Sequence, residues 1–402
     1  MMLLENDVET EEKTSATYQN SFGKLQSTIK NRLLLADEGF IKIVTAGAIS
    51  TLLPTDPVWV LIVAGPGGAK TEIIRGLNSL DFVFPINDLT PQTFLSGDKN
   101  NSKGSLLHRL PSPALITMKD FTSVLEMNSD KQRAILSQLR EIYDGEYSKE
   151  FGTGESKAWH GKIGFIAGVT QVIDKHQANI QTLGERWIKY YPVQSEPLEL
   201  AKRALSNSGD EVAMRSEIQQ AFKDYIEGLE IPEKLDGLPE HFKDAIIHLA
   251  TFCAIARSAI IRDGKTREIE YVPEPEHPTR LVKQLSNLFQ SLAIISGDFT
   301  NEDYGYIYKI GMDSLPMIRR QIVDYLYNSG SPQTLLDILT AIKRPKPTVG
   351  RQIEELVLLD VLRSSGRSSI EYELHPQAKV LLDHAFMIAT EPFSEISVGV
   401  SL

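Results

Sequence analysis

The sequence predicts an α/β protein: a parallel sheet carrying a phosphate-gripping loop, then a helical region, then a small module of three helices and a strand. Three observations carry this expectation. The stretch "VWVLIVAGPGGAKTEII", Val58–Ile74, runs from a continuous apolar segment through a small-residue loop into a helix, the context a P-loop demands. Two further continuous apolar runs, "PALITM" and "KIGFIAGVT", alternate with helical patterns, as buried parallel strands do. After Asp313 the pattern changes to three amphipathic segments and one short strand.

The elements follow in order. Residues 1–22 are polar and acidic and are expected to form a disordered leader. "FGKLQSTIKNRLLL" and "DEGFIKIVTAGAISTLL" carry apolar residues at helical spacing, with Asp37 as the expected cap of the second. "DPVWVLIVA" is the first buried strand, and "KTEIIRGLNSL" is the helix after the loop. "PALITM", Pro113–Met118, is the second strand; the helix through "SDKQRAILSQLREIYDG" follows, capped by Ser129 or Asp130. "KIGFIAGVT", Lys162–Thr170, is the third strand. From Pro197 to Gly297 the pattern is mostly helical. "SLPMIRRQIVDYLYNSG", "SPQTLLDILTAI" and "KPTVGRQIEELVLLDVLRSSG" read as three helices and "SSIEYELHP" as a strand, the make-up of a winged helix-turn-helix. The chain thus divides into a leader (1–22), a P-loop core (23–196), a helical lid with a hairpin insertion (197–312) and the C-terminal module (313–402).

Composition narrows the function classes. Apolar residues make up 42% of the 402 and charged residues 24%, ordinary values for a soluble globular protein. The single cysteine, Cys253, excludes an internal disulfide framework and fits a reducing compartment. The eight histidines show no metal-site spacing. No apolar run approaches a membrane span, and the N-terminus has no basic n-region or apolar h-region, so a cytoplasmic protein without a membrane partner is expected. The net charge of −11 means that any nucleic-acid contact must be local.

The loop departs from G-x-x-x-x-G-K-[ST] at Ala64 and Ala69, which stand where the pattern has glycine. Its chemistry survives, because close backbone approach needs only small residues. Gly65, Pro66, Gly67, Gly68 and Ala69 are expected to cradle phosphates. Lys70 would reach the outer phosphates, and Thr71 would place its hydroxyl on Mg²⁺, which makes ATP and Mg²⁺ the expected cofactors. The bland alternative is a glycine-rich turn before a surface lysine.

"GPGGAKT" resembles the Walker A loop of the minichromosome maintenance (MCM) helicases, AAA+ motors with Ala-Lys and a hydroxyl residue in the same order. The resemblance continues through "ALITMKDF", "LREIYDGEYSKEFGTGESKAWHGKIGFIAGVT", "LGERWIKYY" and "HPTRLVKQLSNLFQSLAII", spanning Val58 to Pro376. It implies an AAA+ sheet with a helical lid and a terminal winged helix. It also implies roles. Thr170 would be sensor 1, where the family has asparagine. Arg186 would be an arginine finger reaching a neighbouring subunit's nucleotide, a role worth about 10³–10⁵ in rate. Arg280 would be sensor 2. The family's acidic pair Asp-Glu is replaced by Lys119-Asp120. Either the strand ends in a shifted register and Asp120 serves the metal, or Asp120 replaces the Glu and the metal loses a ligand. Slow hydrolysis is therefore an open alternative.

Two zones read as DNA contacts. "EYSKEFGTGESKAWHGK" is a hairpin pattern around a Gly-Thr-Gly turn, with Lys149, Lys157, Lys162 and a stacking residue, Trp159, as candidates; in the family this hairpin enters the ring pore. Its bland alternative is a solvated hairpin whose Trp packs inward. Between Ala341 and Ile370, six basic residues (Lys343, Arg344, Lys346, Arg351, Arg363 and Arg367) face three acidic ones (Glu354, Glu355 and Asp360). "IIRDGKTREIEYVPEPEHP" reads as a further hairpin turning at Asp263-Gly264, with Arg262, Lys265 and Arg267 at a basic tip. The reading that gathers these is an ATP-dependent, helicase-like DNA motor of a phage or mobile element, working as a homo-oligomer in a hexameric or open ring on single-stranded or duplex DNA. The alternatives are a nucleotide-switched DNA-binding regulator or loader with weak or no hydrolysis, and an assembly scaffold.

Overall fold

The computed structural model describes residues 21–67, 69–96, 105–152, 154–176, 185–366 and 369–389. The expected leader lies outside these except for Ser21 and Phe22, which lie in helix α1, described over 21–32. Gly68 and Arg367 also lie outside the described residues, as does Thr153 of the Gly-Thr-Gly turn. By the clustering of contacts the chain forms two compact units. The first takes residues 1–173, 189–237 and 287–300; the second takes 174–188, 238–286 and 301–402.

The first unit is built on a five-stranded sheet. In chain order come α2 (Gly39–Leu52), β1 (Trp59–Val63), α3 (Lys70–Gly76), β2 (Val83–Ile86), α4 (Leu106–Arg109), β3 (Ala114–Met118), α5 (Thr122–Leu125), α6 (Ser129–Tyr143), the hairpin β4 (Glu146–Glu150) and β5 (Ser156–His160), β6 (Ile163–Val169), the helical residues α7 (described over 173–176, of which 174–176 count with the second unit) and β7 (Trp187–Tyr190, of which Trp187 and Ile188 count with the second unit). The helices α8 (Pro197–Ser206) and α9 (Glu211–Glu227) and residues 287–300 also belong to it. The strand order is β2-β3-β6-β1-β7, and β2, β3, β6 and β1 pair in parallel, with Trp59↔Phe165 and Ala114↔Ile163 setting the central register. Every residue of β1, β3 and β6 is buried, as their unbroken apolar sequences require. Trp59 anchors the sheet: its ring packs against Tyr143 and Phe165, and its Nε1 donates to the Ile163 carbonyl at 2.7 Å.

The two strands that sequence reading misses are the short edges, β2 and β7. Pro85 sits in β2, a residue that central strands exclude and edges admit. Helix starts also differ from expectation. Asp37 does not cap α2; its Oδ2 accepts hydrogen bonds from the Tyr190 hydroxyl at 2.7 Å and the Val193 amide at 3.0 Å, tying the start of α2 to the end of β7. Asn128, not Ser129 or Asp130, caps α6 by accepting from the Lys131 amide. Helix α9 buttresses α3. Gly76 lies so close to Phe222 that an added Cβ would come within 2.6 Å of the ring, and Arg215 of α9 joins Arg75 on the Glu72 carboxylate.

The second unit holds α10 (Glu240–Arg257), a small hairpin β8 (Ile261–Arg262) and β9 (Ile269–Tyr271), the start of α11 (Thr279–Ser296), and α12 (Asn301–Asp313). It continues with α13 (Met317–Ser329), β10 (Gln333–Thr334), α14 (Leu335–Ile342), α15 (Lys346–Leu358), β11 (Leu362–Ser365), β12 (Glu371–Leu374) and α16 (Pro376–Phe386). Strands β10, β12 and β11 form an antiparallel three-stranded sheet in that order. The three expected helices are present, and a capping box between Thr334 and Asp337 starts α14. Sequence reading runs α15 too far. The backbone turns at Asp360, φ 54°, and the residues beyond it form β11. Among the described residues no helix is long and apolar enough to cross a membrane.

Candidate nucleotide site

In the sheet order, β1 stands between β6 and β7, while the chain leaves it for β2 at the far edge. The carboxyl end of β1 is thus a topological switch point, where open α/β sheets bind their ligands. The glycine-rich loop starts there. The Ala64 amide donates to the Val169 carbonyl at 3.0 Å, so the loop leaves the sheet still paired to β6. Gly67 has φ +83°, a left-handed value that suits glycine alone.

Lys70 opens α3 and folds back over the strand ends. Its Nζ donates to the carbonyls of Ala64 at 3.1 Å and Val169 at 3.0 Å, and the residue is only 6% exposed. Burial pushes its pKa down; the nearby charge of Asp120 works the other way. Two of the ammonium's three donors are spent on carbonyls, which leaves one for an anion. Gly168 makes room for this side chain. A Cβ there would lie 2.5 Å from the Lys119 carbonyl and 2.9 Å from Lys70 Cδ.

Three expected residues meet at this rim. Asp120 is exposed, and its Oδ1 accepts from the Thr122 amide at 2.9 Å. The Thr122 hydroxyl accepts from the Thr170 amide at 3.0 Å and donates to the Thr170 hydroxyl at 3.3 Å. Asp120 and Thr170 are therefore linked through Thr122, and the charge of Asp120 acts on Lys70. Thr122 carries no sequence signal of its own: the Asx turn at Asp120 uses its backbone amide, which any residue but proline supplies. Strand β3 ends at Met118, so strand alternation does not dictate where Asp120 points. The buried ammonium of Lys70 suits a phosphate, and hydroxyl and carboxylate oxygens such as those of Thr71 and Asp120 are of the hard type that Mg²⁺ takes beside phosphate oxygens. A narrow cleft adjoins the lysine, lined by Leu34, Phe40, Ala64, Lys70, Val193 and Leu200 among others. Its apolar walls suit the flat face of a base.

Arg186 and Arg280 belong to the second unit. Arg186 is buried, at 9% exposed, and its carbonyl accepts from Gln284 Nε2 at 2.5 Å. Arg280 is half-buried and pairs with Glu276 at 3.0 Å, while its Nη1 also lies 3.5 Å from the Glu185 carbonyl. The fully buried Arg257 bonds the same Glu276 at 2.7 Å.

The hairpin β4–β5 forms as expected, with Glu146↔His160 and Lys149↔Lys157 opposed, but its lysines are turned inward. Lys149 donates to the Pro91 carbonyl at 3.0 Å and Lys157 to the Ser96 carbonyl at 2.7 Å, and each ammonium also stands over the Phe151 ring. Lys162 donates to the Ser50 and Leu53 carbonyls at the end of α2. Trp159 is buried, and its ring lies against Gly161. In this fold the three lysines are engaged by backbone carbonyls and Trp159 is packed, so contact with DNA would require the lysines to leave those partners. Strand alternation places Lys149, Lys157 and Trp159 on the packed face and Glu146, Glu150 and His160 on the exposed one.

The second basic zone stays open. Lys343, Arg344, Lys346 and Arg351 are all exposed at the junction of α14 and α15. Two of the three acidic residues that offset them in sequence are occupied elsewhere: Glu354 and Glu355 bind Arg262, and Glu355 also binds Arg319, while Asp360 stays exposed. Arg262 is thereby removed from the expected basic tip of β8–β9. That hairpin turns over Asp263–Glu268 rather than at Asp263-Gly264 alone, because Asp263 Oδ1 accepts from the amides of Lys265 and Thr266.

Fold and loop together define a mixed α/β protein whose parallel sheet presents a glycine-rich loop and a buried lysine at its switch point. No family model matches the chain, and no curated protein matches it. Among solved structures, one described as the A form apo structure of the NrS-1 C-terminal region aligns with 87% of this chain and 75% of its own, at 12% identity and a TM-score of 0.25. That overlap is too slight for any property of the NrS-1 structure to be transferred.

Proposed function

We propose that the chain is an ATP-binding protein of the AAA+ type that acts on DNA as a helicase-like motor, in the cytoplasm and as an oligomer. The observation that carries this reading is the placement of Lys70. It is buried beneath the loop at the switch point, held by the carbonyls of Ala64 and Val169, and electrostatically coupled to Asp120. A triphosphate there would meet the remaining ammonium donor and the small-residue loop, and Thr71 with Asp120 would share Mg²⁺. The adjoining cleft supports a base next to the phosphates. The order α13-β10-α14-α15-β11-β12, with β11 and β12 as the wing and basic residues at the start of α15, supports a winged helix laid on duplex DNA. In this reading Arg186 serves a neighbouring protomer's nucleotide, which requires its buried side chain to be released when protomers meet.

A second reading, a nucleotide-switched DNA-binding regulator with weak hydrolysis, is favoured by two observations. Lys119 occupies the position where the resembling family holds metal with Asp, and the hairpin lysines are committed to carbonyls of their own unit. One experiment tests the site and separates the readings: ATP binding and hydrolysis by wild type and Lys70→Ala, with and without single-stranded and duplex DNA. Lys70→Ala is expected to lose at least about 10-fold in ATP affinity, as loss of a charged hydrogen bond to phosphate should. Unchanged affinity would refute the loop assignment. DNA-stimulated hydrolysis favours the motor; tight binding without hydrolysis favours the switch.

A further inference from the structure

Away from the loop, the second unit brings three metal-ligating side chains to one point. Asp244 and His248 stand four residues apart on α10 and so share a helix face. His384 comes from α16. The helices that carry them are fixed by their cores. Phe242, Ala245 and Leu249 of α10 are buried, as are Ala378, Leu382 and Ala385 of α16, and the Tyr304 hydroxyl donates to the Ala385 carbonyl at 2.9 Å. One ligand atom from each of Asp244, His248 and His384 lies within 4.8 Å of the other two. Asp244 Oδ2 is 3.4 Å from His248 Nδ1 and 3.9 Å from His384 Nδ1. The two imidazoles stack with centroids 4.5 Å apart and planes 13° from parallel.

We propose that Asp244, His248 and His384 bind a divalent transition-metal ion of the Zn²⁺ class, which pins α16 to α10. Two imidazoles and one carboxylate suit Zn²⁺, Ni²⁺ or Cu²⁺; Mg²⁺ and Ca²⁺ take oxygen ligands instead. Bonds of about 2.0–2.2 Å place tetrahedral ligand atoms about 3.3 Å apart. The observed separations close to that value by side-chain rotation alone, because all three residues lie at the surface, with side-chain exposures of 57%, 24% and 50%. His248 Nδ1, the nitrogen nearest Asp244 Oδ2, also lies 2.8 Å from the Asp244 backbone carbonyl, so the ion takes Nδ1 once the ring turns and that contact is released. Three protein ligands leave a fourth position for water.

The test uses full-length, tag-free protein freed of metal with a chelator and titrated with ZnCl₂ by calorimetry. One Zn²⁺ per chain is expected. His248→Ala or His384→Ala should each weaken binding by more than the roughly 10–100-fold that loss of an outer-shell partner costs. Zn²⁺ should raise the thermal midpoint of wild type and leave that of His384→Ala unmoved. Circular dichroism without metal checks that each variant folds, and His384→Gln replaces the alanine variant if α16 loosens. One-to-one Zn²⁺ binding that persists at wild-type strength in the His248→Ala/His384→Ala double variant, or wild type that takes up no Zn²⁺, overturns the proposal.

Discussion

At Gly168 the absence of a side chain decides where Lys70 can lie. The residue is in β6, buried on both faces, and its missing Cβ is the space that Lys70 crosses to reach the Val169 carbonyl. Gly168→Ala would press a methyl to 2.5 Å from the Lys119 backbone oxygen, which no rotamer change relieves. Overpacking of this kind costs about 1–3 kcal/mol. The variant is expected to lose that much stability by urea unfolding and to bind ATP more weakly, since Lys70 is displaced with it. Wild-type values for both would mean the lysine does not depend on this gap. Much of the rim was legible residue by residue. Lys70 and Thr71 follow a contiguous motif, and Asp120 and Thr170 stand at the ends of apolar runs. Thr122 was hidden, because only the folded turn after β3 brings its hydroxyl to Thr170. For the hairpin lysines the sequence displays charge more plainly than the period of two that sets Lys149 and Lys157 on the same side as Trp159, where backbone carbonyls engage them.

Elements were legible where burial is complete and obscure where they end. The strands β1, β3 and β6 announce themselves as unbroken apolar runs; β2 and β7 are edges, too short and mixed to stand out. Helix α2 shows how an end is satisfied by a residue far along the chain. Its last carbonyls accept from Lys162, just before β6, an arrangement that also suits the negative end of the helix dipole. Burial lowers the Lys162 pKa from an ordinary 10.5 to about 8, partly countered by Asp56. In the unfolded chain the amine keeps its proton up to 10.5, whereas in the fold it gives it up near 8. Unfolding between these values takes up a proton, so this residue's contribution to stability rises with pH across that window, and the burial cost is fully present below it. The neutral amine retains two N–H donors for its two carbonyls. Lys162→Met, which cannot titrate, supplies the reference. The stability difference, wild type minus variant, is expected to shift toward wild type between pH 7 and pH 9.5 in urea unfolding. A difference that stays flat would show that the amine titrates normally.

On the scale of the whole molecule, the division into two units is the feature least visible from sequence. Each is assembled from separated stretches, the second from 174–188, 238–286 and 301–402, and a scan along the chain sees only consecutive blocks. Charge behaves the same way. A net −11 argues against nonspecific attraction to DNA, and the sequence around 341–370 shows basic residues diluted by acidic neighbours. Folding reduces that dilution, because Glu354 and Glu355 are held by Arg262 and Arg319 and only Asp360 is left exposed beside Lys343, Arg344, Lys346 and Arg351. If this edge lies along a duplex, each lysine or arginine on a phosphate releases counterions and adds about 0.9 to the slope of log affinity against log salt. Lys343→Ala/Arg344→Ala is then expected to weaken duplex binding and to flatten that slope by about two. Lys149→Ala/Lys157→Ala serves as the comparison, since those ammonium groups are already engaged by the Pro91 and Ser96 carbonyls, and it should leave the slope unchanged. Fluorescence anisotropy on a labelled duplex from 50 to about 300 mM salt reads both variants in the range where such slopes are resolved. The reverse outcome, a flattened slope for the hairpin variant and none for the edge variant, would move the DNA to the hairpin and require its lysines to leave their carbonyls on binding.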